Sequence, residues 1–180
     1  MRKILDEKLD YLRNKFELLK NDNFDIVELA RKNNISVGNS HLLHDDGFLA
    51  ICNEKNKHSV VIGVSNDYHL YLKRYIIAYA LGLYFTKCDE EGCFIDKIKL
   101  DIDNIDLDID YFASSLLVPM ESFYSRYQHL KQCFLSDSII DERLSKIYHV
   151  PLNVIRARRT EADQISVQFE RSKVLVKNKY

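Results

Sequence analysis

The stretch RYIIAYALGLYF, residues 74–85, lies inside a longer helical pattern that runs from about residue 69 to 87, and it decides the fold. Nearly every position from Tyr75 to Phe85 is apolar. A helix that is apolar on all sides has to be surrounded by the rest of the protein. The apolar run is also shorter than the ~20 residues that a membrane span needs. The sequence therefore predicts a central buried helix.

This stretch resembles the zinc-binding helix of the ImmA/IrrE-type metallopeptidases, whose motif is close to R-x-F-T-x-A-H-E-L-G-H-Y. The residues that fit the motif are Arg74, Tyr75, Ala78, Leu81, Gly82 and Tyr84. Where the family has H-E-x-x-H, the chain has Tyr79, Ala80, Leu81, Gly82 and Leu83. The resemblance therefore covers the helix but not its metal-binding residues.

In H-E-x-x-H the two histidines, four residues apart on one helix face, bind zinc, and the glutamate activates the bound water. Tyr79 offers only a phenol oxygen, Ala80 cannot transfer a proton, and Leu83 cannot ligate a metal. The sequence thus predicts a catalytically inactive relative, with no catalytic residue and no zinc or other cofactor. Replacement by Tyr, Ala and Leu suits a filled apolar core better than an open metal cleft.

A second segment carries the same resemblance. Residues 106–119, DLDIDYFASSLLVP, are similar to the family pattern E-x-x-A-N-x-F-A-x-x-L-L-M-P. The matches are Phe112, Ala113, Leu116, Leu117 and Pro119. Asp106 stands where the family has its glutamate ligand, and we expect it to begin a helix without holding a metal. An active zinc peptidase with non-standard ligands remains an alternative, which requires His41, His58 or His69 to enter the cleft beside Asp106.

The resemblance covers roughly residues 20–160 and implies an α+β fold. Residues 1–130 are expected to form a zincin-like core, a small mixed sheet packed on helices. Segment 24–37 fits a short helix leading into a strand, and further strands are predicted at 47–53, 59–65 and 93–100. In the family one strand lies along the cleft and pairs with an extended peptide by edge addition. Residues 131–163 are expected to form a helix-turn-helix-like pair, and 164–180 a tail with two short strands.

The N-terminal helix, predicted over residues 2–20, carries an apolar stripe at alternating spacings of four and three. Its members are Leu5, Leu9, Leu12, Phe16 and Leu19. Such a stripe favours docking on the protein's own core. A homodimer formed through this helix is the alternative, because the same spacing suits a coiled-coil seam.

The C-terminal helical pair, residues 137–160, raises the possibility of DNA binding. Its second helix carries Arg156, Arg158 and Arg159, as a DNA-reading helix would. The formal net charge of the whole chain is only −1, so no global field attracts nucleic acid. A DNA-binding regulator is therefore the less favoured alternative.

The cysteine pattern and the N-terminus concern the cellular location. Cys52, Cys88, Cys93 and Cys133 form no C-x-x-C motif, and the charged N-terminus lacks a signal-peptide core. These features predict free thiols in a cytoplasmic protein that does not enter a membrane. By resemblance, its partner is expected to be a protein, such as a transcriptional repressor or another regulator of a phage or mobile element, which it binds without cutting.

Overall fold

A computed structural model describes residues 1–18, 23–41, 45–54, 57–101, 103 and 105–177; for Lys57 and residues 167–177 it describes the backbone. Seven helices and a four-stranded sheet confirm the predicted α+β class. In chain order they are α1 (Arg2–Lys15), α2 (Ile26–Lys32), β1 (Ile35–Ser40), β2 (Gly47–Glu54), β3 (Lys57–Ser65), α3 (Leu70–Lys87), β4 (Gly92–Ile98), α4 (Leu107–Leu117), α5 (Met120–Gln132), α6 (Asp137–Tyr148) and α7 (Leu152–Lys177).

The sheet is mixed, and its strand order is β1-β3-β2-β4. β1 runs parallel to β3, with Ile35 opposite Val60. β2 is antiparallel to both β3 and β4. The small mixed sheet predicted from the sequence is therefore present, and β1 and β4 form its two edges.

The central helix α3 is buried as the sequence predicts. Its residues from Arg74 to Gly82 are all buried, and His69 caps its N-terminus by accepting a hydrogen bond from the Tyr71 amide. α3 packs closely on α4, because a Cβ added at Gly82 would lie 2.9 Å from Cγ2 of Ile109. A side chain at position 82 would push the two helices apart, which explains the glycine there.

The apolar stripe of α1 docks on the protein's own core, as favoured above. Leu5, Leu9 and Leu12 are buried, and Phe16 is half-buried. Arg13 in the same helix donates a hydrogen bond to the backbone carbonyl of Ser115 in α4 at 3.0 Å. The described part of this stripe is therefore covered within the chain, and a dimer formed through α1 stays a prediction. Leu19 lies outside the described residues.

The C-terminal tail differs from the prediction. α7 continues without a break to Lys177, so the two short strands predicted within 164–180 are wrong. Alternation of Ile165, Val167 and Phe169 suggested a strand, but no glycine or proline interrupts the segment from Leu152 to Lys177. Once Pro151 has opened the helix, nothing in this sequence ends it. Residues 178–180 lie outside the described part of the chain.

The prediction of free thiols is also wrong for one pair of cysteines. Cys52 in β2 and Cys93 in β4 are direct cross-strand neighbours, with Cα atoms 4.1 Å apart, and they form a disulfide. Cys88 and Cys133 are free. The pairing depends on the strand register, which a separation of 41 residues does not reveal. The cytoplasmic location rested on free thiols and stays a prediction.

No helix in the described part of the chain is both long enough and apolar enough to span a membrane.

Candidate functional site

Three of the four motif positions, Tyr79, Leu83 and Asp106, lie in one cleft between α3, β4 and the start of α4. Tyr79 and Leu83 are four residues apart on α3 and therefore share a helix face. Both line a cleft of about 400 Å³ together with Asp106, Ile109 and residues 96–99 at the end of β4. The two motifs singled out in the sequence are thus brought together, although they are more than twenty residues apart in the chain.

Tyr79 and Asp106 are joined directly. The Tyr79 side chain is buried, and its hydroxyl oxygen accepts a hydrogen bond from the Asp106 backbone N–H at 2.9 Å. Burial raises the pKa of Tyr79, so the phenol stays neutral at physiological pH. The phenol therefore helps to fix the start of α4.

The Asp106 side chain acts as a helix cap, as the sequence predicts. One carboxylate oxygen, Oδ1, accepts hydrogen bonds from the backbone N–H groups of Asp108 at 2.9 Å and Ile109 at 3.2 Å. These are two of the amide groups that the first turn of a helix leaves without an internal partner. The carboxylate is thus engaged within its own helix.

The residues of this cleft do not fit the zinc ion that the family resemblance implies. Zinc in proteins is held by imidazole, thiolate and carboxylate groups in near-tetrahedral sets of three or four. The cleft supplies two carboxylates and one neutral phenol. Asp106 is committed to backbone amides, and Asp96 is ion-paired with Lys87 at 2.7 Å. In the described part of the chain, the only group of His, Cys, Asp or Glu ligand atoms close enough for a metal is that of Cys52, Glu54 and Cys93.

The three histidines that could serve as replacement ligands lie elsewhere. His69 caps the N-terminus of α3, ten residues before Tyr79, which corresponds to about 15 Å along a helix. His58 lies near Tyr84, with ring centroids 6.5 Å apart, and His41 lies against Asn66. None of the three lines the cleft. The alternative of an enzyme with replacement ligands therefore finds no support among the described residues.

The expectation of a filled core is correct at one position and wrong at another. Ala80 is fully buried and takes no part in the cleft. Leu83 is only half-buried and forms part of the cleft wall. The cleft wall is therefore open and apolar at position 83.

A buried contact that sequence reasoning missed supports this cleft from behind. The Tyr75 hydroxyl donates a hydrogen bond to an Asp110 carboxylate oxygen, joining α3 to α4. Burial, followed by the nearby Asp110 charge, strongly raises the pKa of Tyr75. In the sequence, only the departure from the resembled motif at Asp110 pointed to this contact, and it did not show that Tyr75 is the hydrogen-bond partner.

The edge strand β4 borders the cleft, and its outer side is free in the described part of the chain. The narrow Cα separation of Cys52 and Cys93 is typical of an antiparallel pair that exchanges no backbone hydrogen bonds. The backbone C=O of Asp46, just before β2, accepts a hydrogen bond from the N–H of Ser65 in β3. Even-numbered residues of β2 therefore direct their backbone groups toward β3, and odd-numbered residues direct theirs toward β4. By this alternation, the backbone N–H and C=O groups of Ile95 and Lys97 point away from β2, toward an empty position at the sheet edge.

The three arginines proposed for DNA contact do not form one exposed patch. Arg158 is 2% exposed and donates two hydrogen bonds to the Val118 carbonyl, at 3.0 and 2.9 Å. Arg159 is ion-paired with Asp137 at 2.6 Å and with Asp141, which also contacts Arg156 at 3.5 Å. Arg158 therefore anchors α7 to the end of α4, and the other two arginines are largely neutralised within the helical pair.

Comparison with known proteins gave no match, either to a family model or to a curated protein.

Proposed function

We propose that the protein binds an extended segment of another protein along the free edge of β4 and does not cleave it. The observation that carries this proposal is the position of the β4 edge, which no described strand pairs, beside the cleft of Tyr79, Leu83 and Asp106. A peptide added to a sheet edge gains affinity from main-chain hydrogen bonds and specificity from pockets for alternate side chains. The cleft supplies such a pocket, and β4 supplies the hydrogen-bonding groups.

Each part of the cleft has a defined role in this binding. The outward N–H and C=O groups of Ile95 and Lys97 pair with the peptide backbone. Ile95, which is 69% exposed, adds an apolar contact on the outer face. A peptide side chain that points toward α3 meets Leu83 and Ile109, so we expect an apolar residue there. The absence of any ligand set for zinc at Tyr79 and Asp106 is the reason that the bound peptide stays intact.

The resemblance to the ImmA/IrrE-type peptidases supplies the partner class. Members of that family typically act on transcriptional repressors of phages and mobile elements. We therefore infer that this protein holds such a repressor, or another regulator, through one extended segment. The scaffold is zincin-like in this proposal, with binding retained and hydrolysis lost.

The experiment uses a peptide selected from a random nonapeptide display library with the purified protein as bait. Its affinity is then measured for the wild type, Ile95→Pro and Ile95→Thr. Proline removes the outward N–H of position 95 but no hydrogen bond to β2. We expect Ile95→Pro to weaken binding at least about tenfold, which corresponds to ~1.4 kcal/mol, and Ile95→Thr to change it far less.

Two further measurements keep this test independent of the folding of Ile95→Pro. A selected peptide that is N-methylated at alternate backbone positions should lose affinity for the wild type when the methyl groups fall on the paired side. Mass spectrometry of the unmodified peptide after incubation with zinc should show only the intact mass. Edge pairing would be refuted if Ile95→Pro bound the peptide as tightly as the wild type and if the wild type bound peptides methylated on either side equally well. Cleavage of the peptide would refute the proposal that the protein is catalytically inactive.

A further inference from the structure

A second cavity lies on the other side of α3, between α2, β1 and the N-terminal half of α3. Its volume is about 570 Å³, within the ~300–1,000 Å³ that small-molecule sites usually occupy. Apolar side chains form much of its wall, including Phe24, Val37, Val64, Leu70 and Ile77. It shares no lining residue with the cleft of Tyr79 and Asp106. It is therefore a separate site that the proposed function does not use.

A buried arginine with incomplete hydrogen bonding lines this cavity. Arg74 is 6% exposed, and one of its terminal nitrogens, Nη1, donates to the Phe24 carbonyl at 2.5 Å. Its Nε and Nη2 atoms are buried, and no described residue offers either of them a hydrogen-bond acceptor. Burial lowers the pKa of Arg74, but a guanidinium remains charged at any physiological pH. A buried cation with two unused donors is costly, so the site is incomplete without an anion.

The charges around the cavity indicate the charge of that anion. Lys73 and Arg74 contribute two positive charges, and Asp25 contributes one negative charge. The Asp25 carboxylate is committed to capping α2, where it accepts hydrogen bonds from the N–H groups of Val27 and Glu28. Together the side chains of Lys73, Arg74 and Asp25 carry a net charge of one positive unit. A monoanion balances it, whereas a dianion leaves an excess negative charge.

We propose that this cavity binds a small monocarboxylate with an apolar body. The carboxylate pairs with the free donors of Arg74, whose planar fork matches carboxylate geometry, and Lys73 adds a second charge at the cavity wall. The aliphatic or aromatic body of the ligand lies against Val37, Val64 and Ile77. The ligand joins α2, β1 and α3, so occupancy stabilises the packing of these three elements.

The test compares hexanoate with hexan-1-ol, which has the same alkyl body but no charge. Binding to the full chain is measured by isothermal calorimetry and by the shift in melting temperature, in a buffer free of phosphate and carboxylate. We expect saturable binding and a raised melting temperature with hexanoate, and at least about tenfold weaker binding with hexan-1-ol. NMR should place the largest hexanoate-induced shifts on the methyl groups of Val64 and Ile77.

Variants separate the two cationic groups. Arg74→Met should remove hexanoate binding, and Lys73→Met should weaken it while leaving the Arg74 contact to Phe24 intact. Lys32→Met is the matched control, because Lys32 is an exposed cation outside the cavity. Equal binding of hexanoate and hexan-1-ol to the wild type would overturn the proposal, and so would unchanged hexanoate affinity in Lys73→Met. Neither result would affect peptide binding at β4.

Discussion

Replacement of Tyr79 by phenylalanine tests whether its hydroxyl holds the start of α4 in place. The variant keeps the buried ring and removes only the oxygen that accepts the Asp106 N–H at 2.9 Å. That amide is then left without its acceptor in a partly buried position. Loss of one such hydrogen bond costs about 1 kcal/mol. For a chain of this length, 1 kcal/mol corresponds to a fall of about 2–4 °C in melting temperature.

The assay is differential scanning calorimetry together with urea unfolding at neutral pH. Tyr11→Phe is the matched control, because the Tyr11 side chain is 47% exposed and its hydroxyl contacts only Lys15 at the surface. We expect the control to change stability by no more than a few tenths of a kcal/mol. If Tyr79→Phe is as stable as the wild type, the hydrogen bond does not hold the start of α4, and the reasoning is refuted.

Three other variants test the supporting structure. Arg158→Ala should lower the free energy of unfolding by about 3 kcal/mol, because it orphans a buried carbonyl, whereas Arg156→Ala should change it little; equal effects in urea unfolding would contradict the anchoring role. Reduction of the Cys52–Cys93 disulfide should lower stability by up to about 4 kcal/mol through the freed 41-residue loop, and thiol titration of the unreduced, denatured protein should count two thiols rather than four. Because the folded-state pKa of Tyr75 is raised above its ordinary value of 10.0, its contribution is complete below pH 10 and is lost as the pH rises above it. Tyr75→Phe should therefore flatten the alkaline fall in stability, by up to about 1.4 kcal/mol per pH unit, and an unchanged slope would contradict the assignment.

The elements with a strong local pattern could be predicted from the sequence. α3 is apolar at nearly every position, so its burial follows from composition alone. The stripe of Leu5, Leu9 and Leu12 fixes which face of α1 is buried, and the run of valines in β3 predicts a covered strand. Asp106 precedes a helical pattern, so its role as a cap was also accessible.

The predictions that were wrong concern features that depend on contacts between residues distant in the sequence. Arg158 has the same chemistry as Arg156 and Arg159, and only the packing of α7 against Val118 places it in the interior. The Cys52–Cys93 disulfide follows from the register of β2 and β4, which the sequence does not show. The alternating apolar residues near residue 165 were too few to identify a strand, and this segment belongs to the continuous helix α7.

The cleft itself was predicted only in part. The motif spacing on α3 places Tyr79 and Leu83 on one helix face, and this much follows from helical periodicity. The expectation that apolar replacements fill the space is wrong at Leu83, which is only half-buried and lines the cleft. Nothing in the sequence predicted the cavity beside Arg74, because the sequence does not show which hydrogen-bond donors of a buried arginine lack partners.

Hydrogen exchange of the backbone amides of β4, measured with and without the selected peptide, tests the central claim most directly. Our account predicts that the outward N–H groups of Ile95 and Lys97 exchange rapidly in the free protein and become protected on binding, while those of Phe94 and Asp96, which pair with β2, are protected in both states. Protection that appears along β1 instead, or no change at Ile95 and Lys97 under saturating peptide, would contradict it.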